Sequence, residues 1–321
     1  DSWDSLIRAM AQKGYEKRDL LDAGLAVSNQ KGSIYDRFRN RVMFPIIDLR
    51  GDVIGFGGRV LGGGTPKYLN SPDTPVFNKR QGLYALNFAK KERNLGRLVL
   101  VEGYMDVVSL TQFGVPGVVA TLGTALTNEQ AKLLKRFAPR VYLSYDGDSA
   151  GQHAILRGLD ILEQEGVPAR VLDFPDGLDP DEFIRRDGPE GFAHLPALTP
   201  ETYRMRRLKE QFDLSTQEGR TDYAKACASI LATLEPVEME NHLQELMIQT
   251  GFSREVLLAQ IGASRPSAAE VTRQMQPAAP RRSTAPAISG EELRAQELLL
   301  SLMATGRLPG DIVTTEDFQD P

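Results

Sequence analysis

The chain has 321 residues, of which 41% are hydrophobic, and its formal net charge is −5 at pH 7. Every apolar run is shorter than the roughly 18 residues that span a membrane, and the single cysteine, Cys227, excludes an internal disulfide and a cysteine-ligated zinc site. We therefore expect two or three domains in a reducing, cytoplasmic compartment, which excludes a membrane protein and a disulfide-stapled secreted one.

The chain opens with helical patterns and continues with short strands. Residues 3–24 hold two amphipathic helical patterns, in which Trp3, Ile7 and Met10 are spaced to share one apolar face. We expect these three side chains in the core. Residues 41–84 have the pattern of short strands interrupted by Gly and Pro.

The middle of the chain, residues 98–174, alternates strand and helix patterns, which predicts a parallel sheet. Helical patterns follow at 201–213, 220–234, 236–250 and 253–261. We expect a basic N-terminal subdomain of mixed α+β structure at 1–97 and an α/β subdomain with a parallel sheet flanked by helices at 98–190. A helical subdomain should follow at 191–262, then a flexible linker at 263–289 and the start of a further domain at 290–321.

The charges are distributed unevenly. Residues 31–97 contain 13 Lys or Arg against 5 Asp or Glu, a net charge of +8, and residues 98–190 contain 8 against 15, a net charge of −7. This arrangement suits one surface for phosphate backbones and another for a metal ion. The alternative is that solvated charges merely differ in local frequency.

Acidic residues follow three apolar runs. Glu102 and Asp106 come after Leu98–Val101, and Asp146 and Asp148 come after the apolar run at 141–145. A third pair, Asp179 and Asp181, follows the apolar run at 171–174. Because ligands bind beyond the carboxyl ends of parallel strands, these acids should meet at one sheet edge, where their repulsion favours a hard cation. The pattern predicts a magnesium site for chemistry on phosphates.

Each acid has a predicted role and a plainer alternative. Glu102 is predicted to be a metal ligand or an acid/base for a 3′-hydroxyl, and Asp106 lies one helical turn later. Asp146 and Asp148 are the best predicted ligands, whereas Asp179 and Asp181 could complete a second metal position. The alternatives are a turn for Asp-Gly-Asp and a helix N-cap, followed by Pro, for Asp179.

The basic residues form short clusters. Arg37, Arg39 and Arg41 alternate, so on a strand they would share one face and could follow a nucleic-acid backbone. Further along, Lys67, Tyr68 and Asn70 supply a charge, a stacking ring and an amide, which suit a nucleoside triphosphate or a base. Lys79 lies in the same basic block, and we expect it to help hold the triphosphate. The glycines from 55 to 64 are not followed by Lys-Ser or Lys-Thr, so they do not form a Walker A loop.

A Glu after one strand and Asp-x-Asp after a later one resemble the Toprim domain shared by topoisomerases and primases. Upstream, three segments are similar to bacterial replicative primases, and the likeness covers roughly residues 1–260; the segments are 37–46, 55–59 with Arg59, and 66–72. The resemblance implies synthesis of an RNA primer on single-stranded DNA from ribonucleoside triphosphates, with Mg²⁺ as cofactor and Mn²⁺ as a substitute. We expect the nucleic-acid contacts at Arg37, Arg39, Arg41 and Arg59.

The same resemblance implies further expectations about partners. The product would be an RNA–DNA hybrid, and the core would be monomeric. The replicative helicase would bind through the C-terminal region, in a helicase-interaction domain that starts at 290–321, at the replication fork in the nucleoid. The family carries an N-terminal zinc-binding domain, so we expect this chain to be a fragment that holds no zinc. Other functions stay open, namely a Toprim nuclease and a nucleic-acid binding module with an inactive site; a topoisomerase would need a cleavage-domain tyrosine that we do not find.

Overall fold

The computed structural model describes residues 2–93 and 95–264. Its N-terminal part contains two short helices and a two-stranded antiparallel hairpin: α1 (Ser5–Gln12), α2 (Lys17–Asp22), β1 (Ala26–Ser28) and β2 (Ile34–Asp36). The buried carboxylate of Asp36 accepts hydrogen bonds from the backbone N–H groups of Leu6 at 2.7 Å and Ile7 at 3.1 Å. The hairpin therefore satisfies free N–H groups at the start of α1 and fixes this helix to the strands.

The expectation that Trp3 lies in the core is wrong. Helix α1 begins at Ser5, so Trp3 precedes the helix, the helical spacing does not apply to it, and it is 64% exposed. Its ring instead lies edge-on to Tyr35 at 5.4 Å, and the Arg39 guanidinium is 4.3 Å from the ring centre. Ile7 is buried, as expected.

A three-stranded antiparallel sheet follows, with the order β3 (Arg41–Ile47), β4 (Val53–Val60) and β5 (Tyr68–Asn70). Gly57, in the middle strand, pairs with Phe44 on one side and Asn70 on the other. The Asn70 amide donates a 3.0 Å hydrogen bond to the Leu122 carbonyl, 52 residues away in the chain. This bond holds the basic sheet next to the acidic half of the chain, and a short helix, α3 (Leu86–Ala89), leads into that half.

The second sheet is parallel except for one edge strand. Its order is β10–β9–β8–β6–β7, where β6 is Leu98–Val101, β7 Val118–Ala120, β8 Val141–Leu143, β9 Ala169–Leu172 and β10, the antiparallel edge strand, Ala197–Leu198. The intervening helices are α4 (Tyr104–Gln112), α5 (Asn128–Phe137), α6 (Ser149–Gln164) and α7 (Pro180–Ala193). The predicted parallel sheet flanked by helices is confirmed.

Strand β6 shows how this sheet is covered on both faces. All four of its residues are fully buried, and they alternate between two cores. Leu98 and Leu100 face the core built with α5 and α6, whereas Val99 and Val101 face the core that includes residues of α4 and α7. A strand buried on both faces is a continuous apolar run, which is why the sequence signals it clearly.

The last described part is helical, as predicted. Its helices are α8 (Pro200–Lys209), α9 (Gln217–Leu231), α10 (Pro236–Thr250) and α11 (Arg254–Ser264), and they pack around a core that includes Cys227, Leu231 and Leu243. Helix α11 runs past the predicted linker start at residue 263. The rest of that linker, and the predicted segment 290–321, lie outside the described residues. Within the ranges given above, no helix has the length and apolar content needed to cross a membrane.

Candidate metal centre and basic surface

The sheet register brings the first two acidic segments to the same edge. Glu102 follows β6 directly, and Asp146 follows β8 after two buried residues. Leu100 is aligned with Leu143, and the backbone N–H of Ser144 still bonds to the Leu100 carbonyl at 2.9 Å. Both carboxylates therefore lie just beyond the carboxyl ends of adjacent parallel strands, where a ligand site is expected.

Glu102 carries the strongest electrostatic signal at this edge. Its pKa is raised to about 7, chiefly by burial and then by the negative charges of Asp146, Asp148 and Asp106, while a backbone hydrogen bond from Asp146 lowers it. Its Oε1 atom is buried and accepts no hydrogen bond. A buried carboxylate oxygen without a donor is costly unless a proton or a cation accompanies it.

Two further carboxylates share this field. Burial, followed by the charge of Asp146, raises the pKa of Asp106 to about 6, although its Oδ2 accepts a hydrogen bond from the Gly103 N–H at 3.1 Å. Burial, followed by the charges of Asp179 and Asp148, raises the pKa of Asp146. Six residues therefore form what we call the acidic cluster: Glu102, Asp106, Asp146, Asp148, Asp179 and Asp181.

Asp148 has a second role that the sequence analysis missed. It is the N-cap of α6, and its Oδ1 accepts a hydrogen bond from the Gly151 N–H at 2.7 Å. The signal was available, because an Asp just before a helical pattern is a common N-cap. An added Cβ at Gly151 would lie 2.2 Å from the Asp146 carbonyl and 3.2 Å from Glu102 Oε1, so only glycine allows this close approach.

The third acidic segment reaches the cluster through a loop contact. An added Cβ at Gly147 would lie 2.7 Å from the Gly177 carbonyl, so the two loops touch. Asp179 caps α7 by accepting a hydrogen bond from the Glu182 N–H at 2.6 Å, and the N-cap interpretation is confirmed. Asp181 pairs with Arg185 at 2.8 Å, so its charge is partly neutralised.

The acidic cluster fits a divalent cation, but it does not surround a ready-made position. Among the described residues, no group of three or more His, Cys, Asp or Glu side chains is arranged to hold a metal ion. Mg²⁺ needs only one or two carboxylates, with waters and substrate phosphates as its other ligands. The unpartnered Glu102 oxygen and the mutually raised pKa values indicate uncompensated negative charge, which such an ion would neutralise.

The predicted row of arginines on one strand face is wrong. Strand β2 ends at Asp36 and β3 begins at Arg41, so Arg37 and Arg39 lie in the connecting loop. Arg37 donates to the Asn70 carbonyl at 3.0 Å and Arg41 to the Gly58 carbonyl at 3.1 Å, while Arg39 donates to the Asp36 carbonyl. All three guanidinium groups therefore brace the backbone of the basic region.

Tyr68 lies between the basic and acidic groups. Its ring is 5.7 Å from the Arg59 guanidinium and 5.7 Å from the Lys67 ammonium. Burial raises the pKa of Tyr68, the charge of Arg59 lowers it, and the charges of Asp106, Asp181 and Asp146 raise it. The buried Oδ1 of Asn70, on the same strand, has no hydrogen-bond partner. Three of the four predicted nucleotide-binding residues thus lie on or beside β5.

Lys79 is not brought into this group by any contact that the structure describes. Its backbone N–H bonds to Asp73 and its carbonyl accepts from Gln130 on α5, and its side chain makes no hydrogen bond or ion pair with a described residue. Its predicted role in nucleotide binding stays a prediction.

Tyr104 is a residue of this region that the sequence analysis did not select. It is buried at the start of α4, where its ring contacts those of Phe44, Tyr68 and Tyr84 with centroids 4.5 to 5.9 Å apart. Its hydroxyl has no hydrogen-bond partner, and burial raises its pKa to about 12. The sequence signal for Tyr104 was its position two residues after Glu102.

Three protein-family models match the chain. Residues 1–90 match the model described as the N-terminal domain of the DNA primase catalytic core, and residues 99–184 match a Toprim-like model, which implies the use of a divalent metal. Residues 202–255 match the DnaB-helicase binding domain of primase. This last match lies in the helical region, N-terminal to the segment 290–321 that the sequence analysis assigned to the helicase.

Individual relatives agree with these models. The chain is 48% identical to a DNA primase of Clostridium acetobutylicum over 259 residues, which is 80% of this chain and 43% of that protein. It is similar to the structure of the Escherichia coli primase catalytic core, with 41% identity, a TM-score of 0.65 and coverage of 78% of this chain and 83% of the other. A DnaG primase catalytic domain bound to single-stranded DNA gives 40% identity, a TM-score of 0.65 and coverage of 79% and 82%.

The extent of these matches defines what the chain represents. It spans less than half the length of the curated relatives that it matches, and more than four fifths of the solved catalytic cores. Its parallel sheet, its edge of carboxylates and its basic antiparallel sheet all lie within the matched part. The chain therefore belongs to the bacterial DNA primase family and corresponds to the catalytic-core region of its members.

Proposed function

We propose that this chain carries the RNA-synthesising part of a bacterial primase, which makes an RNA primer on single-stranded DNA from ribonucleoside triphosphates. The observation that carries the proposal is the buried, unpartnered Glu102 carboxylate oxygen beside Asp146. Tyr68 lies close enough for the charges of both Asp146 and Arg59 to shift its pKa. An acidic edge next to a basic, aromatic surface is what nucleotidyl transfer needs, because phosphates must be held where a metal ion is also bound.

The roles of the acids follow from their surroundings. Glu102, Asp146 and Asp148 would hold a divalent ion, Mg²⁺ or Mn²⁺, which supplies charge neutralisation for the cluster and for the transferring phosphate. With a pKa of about 7 in the metal-free protein, Glu102 is also suited to take the proton of a 3′-hydroxyl near neutral pH. Asp106 adds negative charge beside Glu102, and Asp179 and Asp181 would support a second ion.

The basic surface would bind and orient the nucleotide and the template. Arg59 and Lys67 flank Tyr68, which suits phosphates on the cations and a base on the ring. The Asn70 oxygen, buried and without a donor, is free to accept a hydrogen bond from the substrate. Template contacts at Arg37, Arg39 and Arg41 remain part of the proposal. A related catalytic domain has been solved bound to single-stranded DNA, which supports template binding by this part of the chain.

We also infer a helicase partner and a place at the replication fork in the cytoplasm. The match of residues 202–255 to a helicase-binding domain model supports a contact through α8 to α10. A role for residues 290–321 in the same contact stays a prediction.

A template-extension assay tests the proposal. The full chain is incubated with Mg²⁺, single-stranded DNA and labelled ribonucleoside triphosphates, and in parallel with a labelled DNA strand alone. We expect label in short RNA products that require the template and resist DNase but not RNase. Shortening of the labelled strand without RNA synthesis would indicate a Toprim nuclease, and binding with neither reaction would indicate an inactive binding module.

A further inference from the structure

A second charged site lies at the opposite edge of the parallel sheet. A cavity of about 390 Å³ opens at the amino ends of β6 and β8, and its lining includes Arg93, Arg97, Arg140 and Tyr142, which we call the arginine pocket. Arg97 directly precedes β6 and Arg140 directly precedes β8, and the Leu98 N–H bonds to the Arg140 carbonyl at 3.0 Å. Strand pairing therefore holds two of the three arginines side by side.

The arginines of this pocket have no acidic partner in the part of the chain that the structure describes. Among the described residues, none of the three forms an ion pair or a side-chain hydrogen bond. The Arg97 guanidinium lies 4.9 Å from the centre of the Tyr142 ring, and its buried Nε has no hydrogen-bond acceptor. Glu92, the carboxylate that also lines the cavity, accepts a hydrogen bond from the Gly117 N–H at 3.0 Å.

The balance of charge at the cavity calls for an anion. Three arginines line this one cavity, so their positive charges repel one another, and the buried Nε of Arg97, a donor without an acceptor, costs free energy. Guanidinium groups offer planar, paired donors that match phosphate oxygens. Because all three residues line one cavity of about 390 Å³, they fit a compact, multiply charged phosphate better than an extended strand.

The arginine pocket is separate from the acidic cluster. Arg97 and Glu102 stand at opposite ends of β6, five residues apart, which is roughly 16 Å at the rise of a strand. An anion in the pocket would not touch a metal ion held by Glu102.

We propose that the arginine pocket binds a compact polyphosphate anion, either inorganic or as the triphosphate of a nucleotide, at a site distinct from the acidic cluster. The proposal goes beyond primer synthesis and does not depend on it, since binding can be measured without any reaction.

Calorimetric titration of the full chain with tripolyphosphate tests this site. The buffer contains EDTA, so that the acidic cluster carries no metal and repels the anion, and the ionic strength is held constant. Arg93 and Arg140 are exposed, so the double variant R93Q/R140Q should fold normally. We expect it to bind tripolyphosphate at least tenfold more weakly than the wild type. The matched control R157Q removes an exposed arginine of α6 that does not line the cavity and should bind like the wild type.

Two further ligands identify the source of the phosphate. Equal affinities for tripolyphosphate and ATP would mean that only the phosphates are recognised. Tighter binding of ATP that R93Q/R140Q loses would assign the pocket to a nucleotide. Unchanged tripolyphosphate binding in R93Q/R140Q would overturn the proposal. So would loss of oligothymidylate binding alone in that variant, because the arginines would then hold a nucleic-acid strand.

Discussion

The ring of Tyr104 lies directly against the backbone of Gly57, so that a Cβ added to Gly57 would lie 2.6 Å from Tyr104 Cε1. Gly57 lies on β4 of the antiparallel sheet, whereas Tyr104 lies at the start of α4, which follows β6 of the parallel sheet. The same Tyr104 ring contacts Tyr68 beside the acidic cluster. This contact couples the position of the basic sheet to that of Glu102, two residues before Tyr104.

Replacing Gly57 with Ala should force the basic antiparallel sheet away from α4 and the acidic cluster. We expect a loss of about 1–3 kcal/mol in the free energy of unfolding, the usual cost of overpacking, together with reduced primer synthesis. Denaturant titration and the extension assay measure the two effects. Gly63→Ala is the matched control, since a Cβ there has no atom within 4 Å. A stable, fully active G57A would contradict the coupling.

Replacing Asp146 with Asn should abolish primer synthesis and leave the fold intact. The change removes a negative charge that raises the pKa of Glu102 and Asp106, so the metal-free protein should unfold at the same or a higher temperature. The exposed acid Glu129, changed to Gln, is the control. Near-normal synthesis by D146N would contradict the proposed metal site.

Asp148 needs a different substitution because it also caps α6. Asp148→Ala should cost about 1 kcal/mol of stability through loss of the cap. Asp148→Asn keeps an acceptor for the Gly151 N–H, so it should retain stability but lose primer synthesis. Thermal unfolding together with the extension assay separates the two roles; equal stability of both variants would contradict the capping role.

Metal-free stability should fall as pH rises through the range of the Glu102 and Asp106 titrations. Their pKa values are raised from 4.5 to about 7 and from 3.8 to about 6, so the folded protein binds more protons than the unfolded chain in that range. The free energy of unfolding therefore decreases from about pH 4 to pH 7. Denaturant titrations in EDTA should show this slope, and E102Q should show a smaller one. An identical slope in E102Q would contradict the raised pKa.

The arginines of the β2–β3 loop can be tested through the salt dependence of binding to single-stranded DNA. Each phosphate contact that is lost should lower the slope of log K against log salt by about 0.7. R37Q and R41Q should also lose stability, because these side chains hold backbone carbonyls of the basic sheet. If R37Q/R39Q/R41Q binds with an unchanged slope, the three residues are structural only.

Truncation tests the C-terminal boundary. Deleting residues 265–321 keeps α11, whose Leu257 and Ile261 are buried in the helical core, and should leave primer synthesis nearly unchanged. A cut after residue 252 removes these two side chains and should destabilise the helical region. A large loss of activity in the longer variant would mean that the expected boundary is wrong.

Much of this architecture could be predicted from local patterns. The buried strands β6 and β8 are continuous apolar runs, and the acids that follow them end at one edge because parallel strands share a direction. The helices from α8 to α11 could be predicted from the helical spacing of their apolar residues. The arginine row could not be predicted correctly, because alternation in the sequence does not reveal that β2 ends at Asp36, where its carboxylate and backbone bind the N-terminal segment.

The sequence by itself determined the order of the elements, the sheet edge at which Glu102 and Asp146 meet, and the family, because these depend on short-range periodicity and motifs. Only the tertiary structure decided the raised pKa of Glu102, the place of Tyr104 against Gly57, and the arginine pocket. Each of these depends on desolvation or contact between segments that are distant in the chain, and such contacts follow from how the two sheets and their helices pack.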